Sequence, residues 1–202
     1  MEIYTSWDDG SKFDIKIAEL LQKYELPGIF FISTMLNELS NKTIRKFSNE
    51  FEIGGHSVNH FQDMKKLNRD EIQYEIIENK EWLEDLCQKK INWFCYPRGR
   101  YNTTIIQEVK NAGFRYARTT SVLNTTIPDE LEQYVIKPTI HVYPGRSEYC
   151  NQNWLGLAKD MFLQAKKING YYHLWGHGWE IEKFCLWEQF EELLSFIKTY
   201  RV

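Results

Sequence analysis

The feature that most constrains this chain is an alternation of short strand-type segments with stretches of helical periodicity. Ile29-Phe30-Phe31-Ile32-Ser33 is the clearest strand signal. Four apolar residues in a row cannot divide into an inner and an outer set, so the strand they form is buried on both faces. A sheet with helices packed over it meets that demand. Ile3–Trp7, Phe51–Gly54, Ile91–Tyr96, Phe114–Thr120, Tyr134–Val142 and Tyr171–Trp175 read as further strands, the sixth weakened by Pro138. Between them, apolar residues recur at helical spacing over Phe13–Tyr24, within 37–49, and over Arg69–Lys89, Thr103–Asn111, Trp154–Ile168 and Trp187–Tyr200. In the longest of these, Ile72, Ile76, Ile77, Leu83 and Leu86 form the expected buried stripe, with Asn68 or Asp70 as cap; Asn102 is the expected cap of the next. Strand and helix taking turns predicts an α/β protein with a parallel sheet. Seven strands, most ending in polar residues, favour a closed or nearly closed barrel over an open sheet. A length of 202 residues fits a single domain with a sizeable core.

Charge and cysteine usage narrow the partners. A net charge of −3 with both signs mixed gives no basic surface for nucleic acid. Cys87, Cys95, Cys150 and Cys185 are widely spaced, which excludes a CxxC redox or thiolate zinc motif and reads as free thiols of a reducing compartment. No apolar run spans a bilayer and no leader pattern precedes the first strand, so a cytoplasmic location is expected. The 7 Trp, 12 Tyr and 12 Phe suit both a filled interior and a cleft that stacks on sugar rings.

Chemistry concentrates at strand ends. Thr5-Ser6-Trp7-Asp8-Asp9-Gly10 runs from a strand into two adjacent carboxylates and a glycine. The C-terminal tip of a strand is where a parallel sheet or barrel binds ligands. Adjacent carboxylates repel unless a cation holds them or one keeps a proton. Taken alone, Asp-Asp-Gly reads as a turn with Asp8 capping the next helix. The second stretch, Gly54-Gly55-His56-Ser57-Val58-Asn59-His60, shifts that balance. Histidines at i and i+4 share one side of a helix or helical turn, and the Gly-Gly pair lets the chain turn sharply at the strand end. With one Asp they make a two-His, one-carboxylate set for a divalent cation, zinc first, with cobalt, manganese or nickel as alternatives. The other Asp is then free to act as general base, and His177, between glycines after the seventh strand, is the candidate general acid.

Four motifs in order, TSWDDG at 5–10, HSVNH at 56–60, YPRG at 96–99 and LWGH at 174–177, resemble those of the polysaccharide deacetylases (NodB-homology domain, carbohydrate esterase family 4). The resemblance spans nearly the whole chain and implies a distorted (β/α)7 barrel and one catalytic domain over residues 1–202. It also implies hydrolysis of an N-acetyl group on a sugar or glycan. By that likeness Asp8 is the base, Asp9, His56 and His60 hold the metal, and His177 is the acid. Tyr96, Pro97, Arg98 and Gly99 resemble the loop along the sugar groove, with the Arg98 amide as oxyanion donor. Leu174 matches the leucine of the acetyl-methyl pocket.

Two departures stand out. Family members often carry an Arg two residues before the proline of the third motif to steady the base; here that residue is Cys95, and Arg118 on the fifth strand reads either as a spatial substitute or as a structural partner for a nearby carboxylate. The family's fourth-motif acid has no clear counterpart, Glu180 and His141 being the nearest. His173 and His141 read as structural, and Trp175 or Trp179 as a sugar-stacking wall. A non-catalytic carbohydrate-binding relative and a hydrolase of another amide or imide are the competing readings. A cytoplasmic enzyme of this kind would take a small or carrier-linked precursor.

Overall fold

Phe30, Phe31 and Ile32 are fully enclosed, and strand β2 (Ile29–Ile32) has neighbours on both sides. The computed structural model describes residues 1–201. With β2, strands β1 (Glu2–Asp9), β3 (Glu52–Gly55), β4 (Trp93–Cys95), β5 (Tyr116–Arg118), β6 (Ile140–His141) and β7 (Tyr171–Gly176) form one sheet, ordered β5-β4-β3-β2-β1-β7-β6. Every pairing is parallel. The helices are α1 (Asp14–Tyr24), α2 (Asn41–Glu50), α3 (Arg69–Cys87), α4 (Thr103–Asn111), α5 (Trp154–Lys167), α6 (Gly178–Lys183) and α7 (Trp187–Tyr200). The result is a distorted (β/α)7 barrel, as the strand–helix alternation predicts.

Closure of the barrel explains the weak sixth strand. Pro138 has no N–H to give a ladder, and the expected strand Tyr134–Val142 divides around it. Ile136 makes a lone parallel bridge to Arg118, while Ile140 and His141 pair with Leu174 and Trp175 of β7. One segment therefore touches both edges of the sheet and spans the gap between them.

Alternation along the strands sorts side chains into two compartments. Trp7, Phe30, Phe94, Tyr172 and Leu174 point outward into the shell under the helices, where Trp7 meets Phe190 edge-on at 5.0 Å. Phe31, Trp93, Cys95 and Tyr171 fill the barrel interior together with Tyr4. His173 also lies inside, with Nε2 on the Ser6 hydroxyl at 2.8 Å and Nδ1 on the Tyr171 hydroxyl at 2.5 Å, a histidine satisfied at both nitrogens.

Three local expectations change. The stripe of α3 omits Ile77, which is exposed; it lies one residue beyond Ile76, about 100° round the helix from the buried face. Glu75 and Asn79 are buried there instead. The helix is capped by Asn68, whose side chain accepts from the Glu71 amide while Glu71 returns a bond to the Asn68 amide, a full capping box. Gly54 and Gly55 belong to β3 and make no sharp turn. Their lack of a side chain serves close packing: a Cβ on Gly54 would sit 2.3 Å from Phe31 Cδ1 and 3.1 Å from the Trp93 carbonyl. Among the described residues no helix is long and apolar enough to cross a membrane, and the four cysteines are free.

Overpacking at this point has no flexible side-chain end to yield. Gly54→Ala should lower stability by about 1–3 kcal/mol, read as a lower denaturant midpoint with an unchanged slope.

Candidate active site

At the end of β1 two successive left-handed residues, Asp9 (φ 80°) and Gly10 (φ 79°), send neighbouring carboxylates apart. Asp8 points into the barrel mouth and is buried. The Arg118 guanidinium, fully enclosed, reaches it from β5: Nη2 donates to both Asp8 oxygens, at 2.5 Å for Oδ2, and lies 2.9 Å from Cys95 Sγ. Its Nη1 donates to the Thr119 carbonyl at 2.9 Å, and the Trp175 and Phe31 rings flank it at 4.5 and 5.2 Å. Burial alone would raise the Asp8 pKa, but Arg118, helped by His56 and His177, more than offsets it and holds the carboxyl below its ordinary range.

Asp9 turns the other way, towards the loop after β3. Its Oδ1 lies 3.5 Å from both His56 Nε2 and His60 Nε2, and it is a buried oxygen with no hydrogen-bond partner. Trp179 Nε1 donates to the other oxygen at 3.0 Å. His56 Nδ1 sits 2.8 Å from the Cys95 carbonyl. A carbonyl only accepts, so that nitrogen carries the proton and Nε2 is the atom that faces Asp9. Burial opposes charge on His56, but the Cys95 and Asp9 groups against it, with Asp8, outweigh that and raise its pKa, so the imidazole would give up its Nε2 proton to take a cation. Burial, with the neighbouring His56, pushes the His60 pKa down to about 4, so His60 is a neutral base at neutral pH. Three ligand atoms within 4.8 Å of one another, one of them an orphaned carboxylate oxygen, fit a divalent cation.

The loop bearing the two histidines is not helical. Ser57 (φ 63°) and His60 (φ 51°) are left-handed, and the shape is imposed from outside. Asn79 of α3 accepts from the His56 amide at 2.9 Å and donates to the Ile32 carbonyl at 3.0 Å. Glu75, one turn earlier, accepts from the Asn59 amide at 2.8 Å. The Ser57 hydroxyl takes the His60 amide at 3.0 Å. The rings end 4.8 Å apart by centroid.

Across the cleft His177 ends β7, its Nε2 3.9 Å from Asp9 Oδ2 and 4.0 Å from Asp8 Oδ2. Its Nδ1 donates to Glu180 Oε2 at 2.5 Å, and the same oxygen accepts from His141 Nε2 at 2.7 Å. His141 stacks on Trp175 at 3.9 Å and 11°. Burial opposes charge on His177, but Glu180 and then Asp8 outweigh it and raise its pKa. Burial, against Glu180, holds His141 down at about 4, so of the two imidazoles on that carboxylate it is His177 that is disposed to carry charge. The cleft encloses about 560 Å³ between these groups and Arg98, Arg146 and Trp179.

With this geometry in view, comparison with known proteins is informative. The polysaccharide deacetylase family profile matches residues 1–117. The chain belongs to the polysaccharide deacetylase family. A peptidoglycan-N-acetylmuramic acid deacetylase of Bacillus subtilis is 26% identical over 116 residues, 56% of this chain and 44% of that protein, so the chain matches less than half of this relative's length. Among solved structures, a putative polysaccharide deacetylase from Mycobacterium smegmatis shares the fold with a TM-score of 0.72 at 12% identity, covering 98% of this chain and 84% of that one. A wild-type carbohydrate esterase family 4 pseudoenzyme of Bacillus anthracis superposes at 0.64 with 15% identity, covering 96% and 60%.

Within this polysaccharide deacetylase chain the remaining motif residues divide. Arg98 (φ 55°) lines the cleft, and its amide donates to no carbonyl among the described residues. Trp175 also lines it. Leu174 does not: alternation turns it outward into the shell core. Tyr96 and Pro97 are buried away from the cleft, Tyr96 donating to the Tyr134 carbonyl at 2.9 Å, and Gly99 (φ 64°) packs against Thr120. Trp187 sits under Lys16 outside the site. Asn79 and Glu75 went unread as site residues, although both fall at helical spacing on the buried face of α3; Glu180, three residues after His177, had the same kind of signal.

Asp14 also escaped notice. It is fully buried at the start of α1, its two oxygens meet no side-chain partner among the described residues, and a Cβ on Gly178 would come 2.6 Å from one of them. Burial, then the nearby Asp9 and Asp8, push its pKa well up, against a smaller pull from the Ser11 and Gly178 amides. The folded protein thus holds this proton more tightly than the unfolded chain. Its stabilising effect is complete below the ordinary aspartate range and is lost as pH climbs through the raised value. Asp14→Asn should abolish that loss: denaturant midpoints of the two proteins, compared from about pH 4 to pH 8, should diverge in favour of Asn as pH rises.

Proposed function

We propose that this chain is a metal-dependent amide hydrolase that removes the acetyl group from an N-acetylated sugar unit, free or within a glycan. The observation that carries the reading is the divergence of two adjacent carboxylates to different partners, Asp8 to Arg118 and Asp9 to a pair of imidazoles. Binding alone has no use for a second, arginine-held carboxylate beside a ligand set.

Asp9, His56 and His60 would hold the cation, zinc being the first candidate. When bound it supplies Lewis acidity, polarising the amide carbonyl and making a nearby water easier to deprotonate. Asp8, kept ionised and fixed in direction by Arg118, takes the proton from the attacking water. The water oxygen bonds to the acyl carbon, and the Arg98 amide, paired with no carbonyl among the described residues, is a donor for the carbonyl oxygen as it becomes anionic. His177, held in tautomer and orientation by Glu180, gives its proton to the sugar nitrogen as the C–N bond breaks. Acetate and a free amine leave. Trp179, the exposed one of the two tryptophans, offers ring surface for the sugar, the likeness to a peptidoglycan deacetylase being what favours an amino-sugar substrate.

The similar fold of a pseudoenzyme keeps a non-catalytic reading in play. Turnover separates the two. Asp8→Asn should keep the metal and lose about 10²–10⁴-fold in kcat, measured as acetate release from a panel of N-acetylated sugars. His56→Ala or His60→Ala should lose both metal and activity. Undiminished turnover in Asp8→Asn would refute the base assignment.

Support for the ligands is testable too. Asn79→Ala removes no ligand yet frees the His56 amide, and should weaken metal affinity about 10–100-fold in a competitive chelator titration, with the fold intact by circular dichroism.

A further inference from the structure

The barrel has a second open end. Glu2, Glu52, Trp93, Tyr116 and Tyr171 are the first residues of β1, β3, β4, β5 and β7, and all five line a cavity of about 480 Å³. Asp9, Cys95, Arg118 and Gly176 end their strands at the opposite mouth, with Asp8 next to the end of β1. Along β1 the two mouths are about 20 Å apart, from the rise per strand residue. This cavity is therefore separate from the candidate active site.

Its wall is a chain of four aromatic rings. Tyr116 stacks on Trp93 at 4.7 Å, Trp93 meets Tyr4 at 5.9 Å, and Tyr4 meets Tyr171 at 5.5 Å. Trp93 and Tyr171 are 8% and 2% exposed, so the rings are built into the barrel. The Trp93 indole N–H pairs with nothing among the described residues and is not sealed from solvent, so it is presented to the cavity. Glu2 and Glu52 stand at the rim without a cationic partner among the described residues. No lysine or arginine lines the space. Arg115 lies 5.7 Å from the Tyr116 ring, outside the lining, and among the described residues no cation lies over Trp93, Tyr4 or Tyr171. Glu2 lies close enough for its charge, after burial, to help raise the Tyr4 hydroxyl pKa.

Aromatic faces attract cations and stack on the C–H face of a sugar, carboxylates pair with ammonium groups, and a cavity of this size suits a small ligand. We infer that the N-terminal mouth of the barrel is a binding site for a protonated amino sugar, recognised by the Tyr4–Trp93–Tyr171 wall and by Glu2 and Glu52. The assignment stands without the hydrolase reading, although a free amine on a sugar is what that reaction would release.

The test uses the full chain labelled with ¹⁵N, the Trp93 indole resonance assigned by its loss in Trp93→Phe, and glucosamine as the probe. Expected is a saturable shift of that resonance, retained in Asp8→Asn, whose change lies at the other mouth. The exposed pair Glu2→Gln with Glu52→Gln should weaken binding at least tenfold while leaving the rest of the spectrum in place. N-acetylglucosamine, the same ring without the charge, should bind at least tenfold more weakly than glucosamine, and so should ethylammonium, the charge without the ring. The site is overturned if the Trp93 resonance shows no saturable response or if the double variant binds as well as the parent. It is overturned equally if either control ligand matches glucosamine. Failure of the active-site variants would leave all these readings unchanged.

Discussion

A buried ion pair organises the mouth of this barrel. Arg118 comes from β5 and Asp8 from β1, on strands separated in the sheet by β2, β3 and β4, and the two meet only because the sheet curls. Taking both charges out of water is costly unless each remaining polar position is met. Cys95 Sγ, the Thr119 carbonyl and the faces of Trp175 and Phe31 surround the guanidinium. Its Nε alone is left without a partner. The pair fixes where Asp8 points, and so forces Asp9, one residue on, to look elsewhere. The different surroundings of the two carboxylates follow from that constraint.

The other half of the candidate ligand set depends on a helix that supplies no ligand to it. Glu75 and Asn79 lie one turn apart on α3, and together they clamp an irregular loop whose left-handed residues have no regular ladder to hold them. Gly55 lets this happen, since a Cβ there would lie 2.9 Å from Asn79 Oδ1. Burying two polar side chains on the inner face of a helix would be destabilising if they were idle. Here they satisfy backbone groups that the loop leaves open.

Much of this was legible in the chain itself. Apolar runs and helical periodicity are local, short-range signals, so the alternation, the parallel sheet and the barrel were readable, and so was the family through motifs at the strand tips. Ile77 and the strand around Pro138 were misread where a one-residue phase or a missing N–H decides the outcome. Arg118 was named as a spatial substitute for an arginine absent at Cys95, but its contact with Asp8 joins residues 110 positions apart, and no local pattern encodes that.

By itself, the sequence determined which residues are candidates for chemistry and that they sit at the ends of buried strands, because residue type and period are properties of neighbours along the chain. Only the tertiary structure decided what each one faces. Strand alternation turned Leu174 into the shell and Trp175 into the cleft; the curl of the sheet delivered Arg118 to Asp8; the short α6 brought Glu180 under His177 and against His141. The physical reason is the same in each case: direction and partner depend on which face of which strand a side chain leaves from, and that is settled when the sheet closes.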